Sequence, residues 1–256
     1  MTIHHPSRGP VRVGTAGWTL PRQCRTAFPE EGSHLERYAA CFAGVEVNSS
    51  FYRPHRRATY ERWAASVPDE FRFAVKVPRA VTHDQRLVAA EVLLDVFLDE
   101  VSGLGRRLGP LLVQLPPSLS FHDATAEEFF ATLRARFGGA VVCEPRHASW
   151  FEAGAERLLR RHGIARAGAD PAVSEAAASP GEWGSLFYLR LHGSPRMYYS
   201  SYDPPRLDAV AAIMRRQSLA GRECWCMFDN TTLGAATSDA LSLAMRLELA
   251  GACGRR

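Results

Sequence analysis

The chain has 256 residues, of which 46% are hydrophobic and 23% charged, with a formal net charge of +4. That balance excludes a wholly disordered chain and a disulfide-stapled miniprotein, and the length suits one β/α barrel. No apolar run approaches the ~20 residues of a membrane span, and residues 1–10 lack the apolar core of a signal peptide.

Residues 1–10 are therefore expected to be a disordered N-terminal segment, and the protein cytoplasmic. The first β-like run is 11–18. Ser33 then suits the N-cap of a helix over 35–42, and a second run follows at 45–52. After a third run at 72–79, Val88, Val92 and Val96 with Leu93, Phe97, Leu104 and Leu108 give a helical apolar stripe. The glycines Gly103, Gly105 and Gly109 precede the next strand, 111–115, and read as a turn rather than a nucleotide loop. Phe129, Phe130, Leu133 and Phe137 mark a further helix, with Thr125 and Glu128 spaced as a capping box. Strands at 140–145 and 165–170 come next. The Ala/Ser/Pro-rich stretch 171–184 predicts a weak or missing helix after this sixth strand. Strands at 187–193 and 223–230 alternate with helices through Leu207 and Met214 and through Ala236 and Leu247. Six cysteines (Cys24, Cys41, Cys143, Cys224, Cys226, Cys253) without a C-x-x-C pair predict buried, reduced thiols.

This alternation predicts an α/β fold, a TIM-type (β/α)8 barrel over residues 11–256 as a single domain, with a doubly wound open sheet as runner-up. Alternate strand residues then face the helices or the interior. One parity is nearly all apolar and includes Val45, Val47, Phe73, Val75, Leu189, Leu191, Trp225 and Met227. The other carries Glu46, Asn48, Lys76, Gln114, Glu144, Asp170, Arg190, His192 and Asn230. These polar groups gather at the C-terminal strand ends, where barrel active sites sit. Mutual ion pairing is the plain alternative, but buried ion pairs seldom stabilise better than apolar packing.

The densest cluster is Glu144-Pro145-Arg146-His147 with Ser149-Trp150. Glu144 suits a general acid/base or nucleophile, and His147 a proton shuttle. Lys76 projects inward, where desolvation would make it a general-base or Schiff-base candidate. Arg190 suits bidentate binding of a carboxylate or phosphate, with His192 assisting and Gly193 leaving room beside it. Residues 198–202, Tyr-Tyr-Ser-Ser-Tyr, read as an aromatic lid. Glycine fingerprints and compact metal-ligand spacings are absent, so no cofactor and no bound metal are expected.

Several stretches together resemble the YecE-like family (domain of unknown function 72). They are Gly14–Trp18, Val45–Arg53, Phe73–Arg79 with Thr82-His83, Gln114–Ser118, Glu144–Trp150, Tyr188–Gly193 and Phe228-Asp229-Asn230. The resemblance runs along nearly the whole chain and implies a TIM-type barrel, but no reaction. Asp229, where the family often has Asn, adds a carboxylate, and Pro145 replaces a usually bulky residue.

The expected catalytic set is Glu144, Lys76, His192 and His147. Arg190, Glu46, Asn48, Tyr52, Gln114, Arg146, Trp150, Trp18, Tyr202, Asp229 and Asn230 are the expected substrate contacts. The expected activity is hydrolysis or lysis of a small polar, anionic or sugar-like substrate. The alternatives are a metal-dependent phosphodiesterase on nucleic acid and a non-catalytic ligand- or RNA-binding module. Arg53, Arg56, Arg57 and Arg62 are the one seed of a basic stripe, so nucleic acid is not favoured, and no membrane partner is expected.

Overall fold

A computed structural model describes residues 8–249 of the chain. Its strands are β1 (Val11–Thr15), β2 (Gly44–Val47), β3 (Arg72–Lys76), β4 (Leu108–Gln114), β5 (Val141–Glu144), β6 (Ala165–Arg166), β7 (Gly168–Asp170), β8 (Leu186–Leu191) and β9 (Glu223–Phe228). The α-helices are α1 (His34–Ala39), α2 (Arg57–Ala65), α3 (Glu91–Ser102), α4 (Asp123–Arg136), α5 (Ala153–Arg161), α6 (Pro204–Leu219) and α7 (Ala235–Arg246). Every strand pairing is parallel, as the intervening crossover helices require.

The strands form two sheets, in the orders β1-β9-β8-β7 and β2-β3-β4-β5-β6. The fold is thus α/β with parallel sheets, and the expected closed sheet is not formed by the ladder hydrogen bonds. At one break, Gly181 N reaches Arg166 O at 2.9 Å, so a loop carries the bond that a continuing strand would make. At the other, Ala16 and Glu46 form an isolated bridge, and Gly17, at φ +84°, leaves the strand direction. The stretch after β7 holds one 3-10 turn, Glu175–Ala178. Its end covers Gly168 so closely that a Cβ there would lie 2.6 Å from Pro180 Cδ.

The polar strand ends were expected to stay extended, but the strands are shorter. β2 stops at Val47 because residues 49–51 turn into a 3-10 helix. Ser50 Oγ pins that turn, lying 2.7 Å from Lys76 O and 3.0 Å from Val47 O. Helix ends differ as well. Ser33 and Glu36 form the capping box of α1, whereas α4 begins at Asp123 and places Thr125 inside the helix. In α3 the core face is Leu94, Phe97 and Val101, while Val88, Val92 and Val96 of the expected stripe are exposed.

Most apolar strand positions pack outward against the helices. A second, smaller core lies between the sheets and contains Ala74, Leu112, Val142, Tyr188, Trp225 and Met227. It corrects the parity expected for β9. Tyr188 pairs in register with Trp225 and Arg190 with Met227, so Trp225, Met227 and then Asp229 continue the inner face. Asn230 and Asp170 consequently point outward. Asp170 Oδ2 takes Arg206 Nη2 of α6 at 3.0 Å.

Cys24, Cys143, Cys224 and Cys226 are buried free thiols. Cys41 is disulfide-bonded, which corrects the expectation of reduced thiols throughout. Residues 1–7 of the segment expected to be disordered lie outside the described residues. Gly9 is tied to α6, its N donating to Ser218 O at 2.9 Å.

Candidate functional site

The inner face of β2, β5 and β8 and the first residue after β9 bring Glu46, Glu144, Arg190 and Asp229 together. Arg190 is 1% exposed. Its Nε donates to Glu46 Oε2 at 2.9 Å and its Nη2 to Glu46 Oε1 at 2.5 Å. Nη1 donates to Glu144 Oε2 at 2.6 Å, and Nη2 also reaches Asp229 Oδ2 at 3.1 Å. Tyr188, one inward position earlier on β8, donates its hydroxyl to Glu46 Oε2 at 3.0 Å. An isolated charge at this depth would cost several kcal/mol, so the guanidinium fork persists through its three carboxylates.

Above this layer His192 spans two carboxylates, with Nε2 2.9 Å from Glu144 Oε1 and Nδ1 3.1 Å from Asp229 Oδ2. Arg146 Nη2 stands 2.8 Å from Glu144 Oε1 and 2.5 Å from His192 Nε2. Burial by itself would raise the Glu144 carboxyl. The charges of Arg146, Arg190 and His192 outweigh it and hold Glu144 well below the usual carboxylate range. Asp229 behaves alike: burial pushes it up, and Arg190, His192 and Lys76 bring it down. Burial would also weaken Arg190's hold on its proton, and Glu144, Glu46 and Asp229 reverse that.

Lys76 ends β3 on the same face and is 5% exposed. Among the described residues its ammonium makes no hydrogen bond and no ion pair, and it sits 3.9 Å above the Phe51 ring centroid. Burial first and Arg190 second push its pKa down to about 8, against Glu46, Glu144 and Asp229. His83 packs edge-on to the same Phe51 ring, centroids 4.9 Å apart, with Nδ1 2.9 Å from Thr82 Oγ1.

The remaining expected residues divide. Gln114 pairs in register with Glu144, and its Nε2 donates to Leu115 O at 2.8 Å. Asn48 begins the turn over Lys76, and its Oδ1 is buried without a partner. Tyr202 is buried, its hydroxyl accepting from Gly193 N at 2.9 Å and donating to Asp170 O at 3.1 Å. Of the aromatic stretch, Tyr198 is the residue that meets the network, its ring 5.9 Å edge-on from His192. The space expected beside Gly193 is filled, since a Cβ there would lie 2.7 Å from Ser200 O.

The other expected residues contact different groups. Asn230 Nδ2 binds Ser200 O at 2.8 Å and Asp239 Oδ2 at 2.7 Å, on the α7 side. Trp150 is buried against Phe121 and Phe130, with Nε1 on Leu119 O. Trp18 packs on Trp63 and Phe73. Tyr52 is 73% exposed and touches Phe51 edge-on. His147 Nδ1 lies 2.9 Å from Ser149 Oγ and accepts from Ser149 N, a cap for the turn Ala148–Phe151.

Tyr188, Phe51 and His83 were not among the expected site residues. Tyr188 was legible by parity, two residues before Arg190. Phe51 falls inside the expected run 45–52 but on the parity read as helix-facing, and the chain turns there into a 3-10 helix, whereas His83 lies beyond the strand pattern. Among the described residues, no group of three or more His, Cys, Asp or Glu side chains is arranged to hold a metal ion. No helix is long and apolar enough to cross a membrane among the described residues.

Comparison with known proteins places the chain in a family. The family described as "Protein of unknown function DUF72" matches residues 12–254. The UPF0759 protein YecE of Escherichia coli K12 is 28% identical over 167 residues, 65% of this chain and 59% of that protein. The UPF0759 protein YunF of Bacillus subtilis is 27% identical over 151 residues, 55% of this chain and 52% of that one. Each match thus spans between half and three-fifths of the relative. A crystal structure of a DUF72 family protein from Thermotoga maritima superposes with a TM-score of 0.76 at 24% identity, covering 94% of this chain and 100% of that one. A DUF72 family protein from Enterococcus faecalis gives 0.77 at 17% identity, covering 94% and 96%. At such identities the structural likeness speaks for the fold. The family match spans nearly all of the sequence, and the chain belongs to the DUF72 family, whose function is unknown.

Proposed function

We propose that the chain is an enzyme of the hydrolase or lyase class, acting on a small polar anionic substrate at the C-terminal strand ends. In this reading the two sheets behave as one barrel-like enclosure, and Lys76 is the group that meets the substrate. The carrying observation is the contrast between Lys76 and its neighbours. Arg190, Glu46, Glu144, Asp229, Arg146 and His192 bond to one another, while the buried ammonium of Lys76 has no polar partner among the described residues. An ammonium on a side chain only 5% exposed, with no protein acceptor among the described residues, is left for water or an anionic ligand to complete. Arg190 and the carboxylates then serve as a rigid frame, and His192, Arg146 and Tyr198 line the approach.

The nucleic-acid readings have less support. Glu46, Glu144 and Asp229 face Arg190 rather than a shared empty position, and Arg57 of the basic seed pairs with Glu61 and Asp99. Thermal melts with phosphate, sulfate, simple carboxylates and sugar acids test the proposal. At least one anion class should stabilise the wild type and fail to stabilise Lys76→Met. Equal stabilisation of both proteins, or of neither, would reject a substrate role for Lys76.

A further inference from the structure

Lys76 is the only lysine in the sequence: the other members of the 31 Lys and Arg residues are all arginine. Arginine supplies charge, ion pairing and anion binding equally well or better, and the ion pairs of Arg146 and Arg190 show the chain using it beside Lys76. What arginine does not do near neutral pH is release its proton and present a nitrogen lone pair. The one position that keeps an amine is also a buried one, 5% exposed and without a polar partner among the described residues.

The surroundings hold that amine in place and shield it. The 3-10 turn Ser49–Phe51 is latched to the end of β3 by Ser50, which sets the face of Phe51 3.9 Å from the nitrogen. The charged and titratable groups facing it are Glu46 from β2, Glu144 from β5, Arg190 from β8, Asp229 after β9 and His83 after β3. None of them hydrogen-bonds the amine, so its lone pair is free once the proton leaves. Both burial and Arg190 favour that loss.

Resting on the functional reading above, we propose that Lys76 is a nucleophile that captures the aldehyde or ketone carbonyl of a small anionic substrate as an imine. The ammonium first gives one proton to water. The amine lone pair forms the C–N bond while the C=O π pair moves to oxygen, which takes up a proton. The second amine hydrogen follows, the C–O bond breaks, and water leaves the C=N product. Amine plus carbonyl thus gives imine plus water, with no oxidant or reductant. The protonated imine is an electron sink for cleaving a neighbouring bond, which narrows the reaction class to a lyase.

The single lysine makes the test specific. The full chain is incubated separately with glyoxylate, pyruvate and glyceraldehyde 3-phosphate in cyanoborohydride, then weighed intact and peptide-mapped. The expected result is one reduced adduct on Lys76, forming about tenfold or more faster than in the guanidinium-unfolded chain and absent from Lys76→Arg. Labelling of the α-amine alone, or of Lys76 no faster in the folded than in the unfolded chain, would overturn the imine. If no adduct forms while anions still stabilise wild type and not Lys76→Met, the imine fails and the anion-site reading stands. If neither effect is seen, both fail.

Discussion

At the scale of single residues, Lys76 and Arg190 are two buried cations with opposite consequences. Arg190 is satisfied by Glu46, Glu144 and Asp229. Arg190→Met strands three buried acids and should cost ~3–5 kcal/mol in urea denaturation, whatever ligand is present. Lys76→Met removes an ammonium that the fold holds at a loss. Its folded pKa, about 8, lies below its ordinary 10.5. Between these values the unfolded chain binds more protons, so wild-type stability rises with pH there and the full cost is carried below pH 8. Lys76→Met should therefore gain about 1–3 kcal/mol at pH 7, roughly a few degrees in Tm, while losing ligand response. A ligand-free Tm below wild type would contradict this. In the sequence, its inward direction set Lys76 among the catalytic candidates, with Glu144 and His192, and nothing was drawn from its being the one lysine. Parity reports direction and is silent on whether a side chain finds a partner.

At the scale of elements, the site depends on how each strand ends. After β8 the chain turns through Gly193 at φ +94°, where a Cβ would meet Ser200 O at 2.7 Å. Gly193→Ala combines backbone strain with that clash and should destabilise the fold by ~1–3 kcal/mol in chemical denaturation. A neutral result would mean that the loop holding Tyr198 and Tyr202 is not fixed by this contact. The strand cores were legible because β-branched and aromatic runs recur between helical stripes. The inner face of β9 was not legible, because Trp225 and Met227 are apolar residues on the interior face and read like helix-facing ones. Their misplacement carried Asn230 inward on paper, whereas its amide binds Asp239 of α7. In α3 the error has the same origin, since Val92 and Val96 are apolar yet exposed.

For the whole molecule, two parallel sheets enclose a small apolar core with a charged layer above it. The order of elements was readable from periodicity. The breaks between β6 and β7 and between β1 and β2 were not, because they depend on which backbone groups the loops satisfy. The charged layer ties β2, β5, β8 and β9 together, so it should set the acid limit of the fold. Glu144 and Asp229 have folded pKa values depressed from their ordinary ones. Their contribution is present above the ordinary carboxylate range, about pH 4, and is lost as pH falls toward the folded values. Urea melts from pH 7 to 3 should show stability dropping below about pH 4, with Glu144→Gln starting lower and dropping less.

The central claim is that Lys76 is a buried amine poised to lose its proton. Because the sequence has one lysine, protein grown with 13Cε- and 15Nζ-labelled lysine gives one side-chain signal to follow by NMR against pH. The account predicts a midpoint near the value set by burial and Arg190, about 8. A midpoint at the ordinary 10.5 would show a solvated, unperturbed ammonium and contradict it.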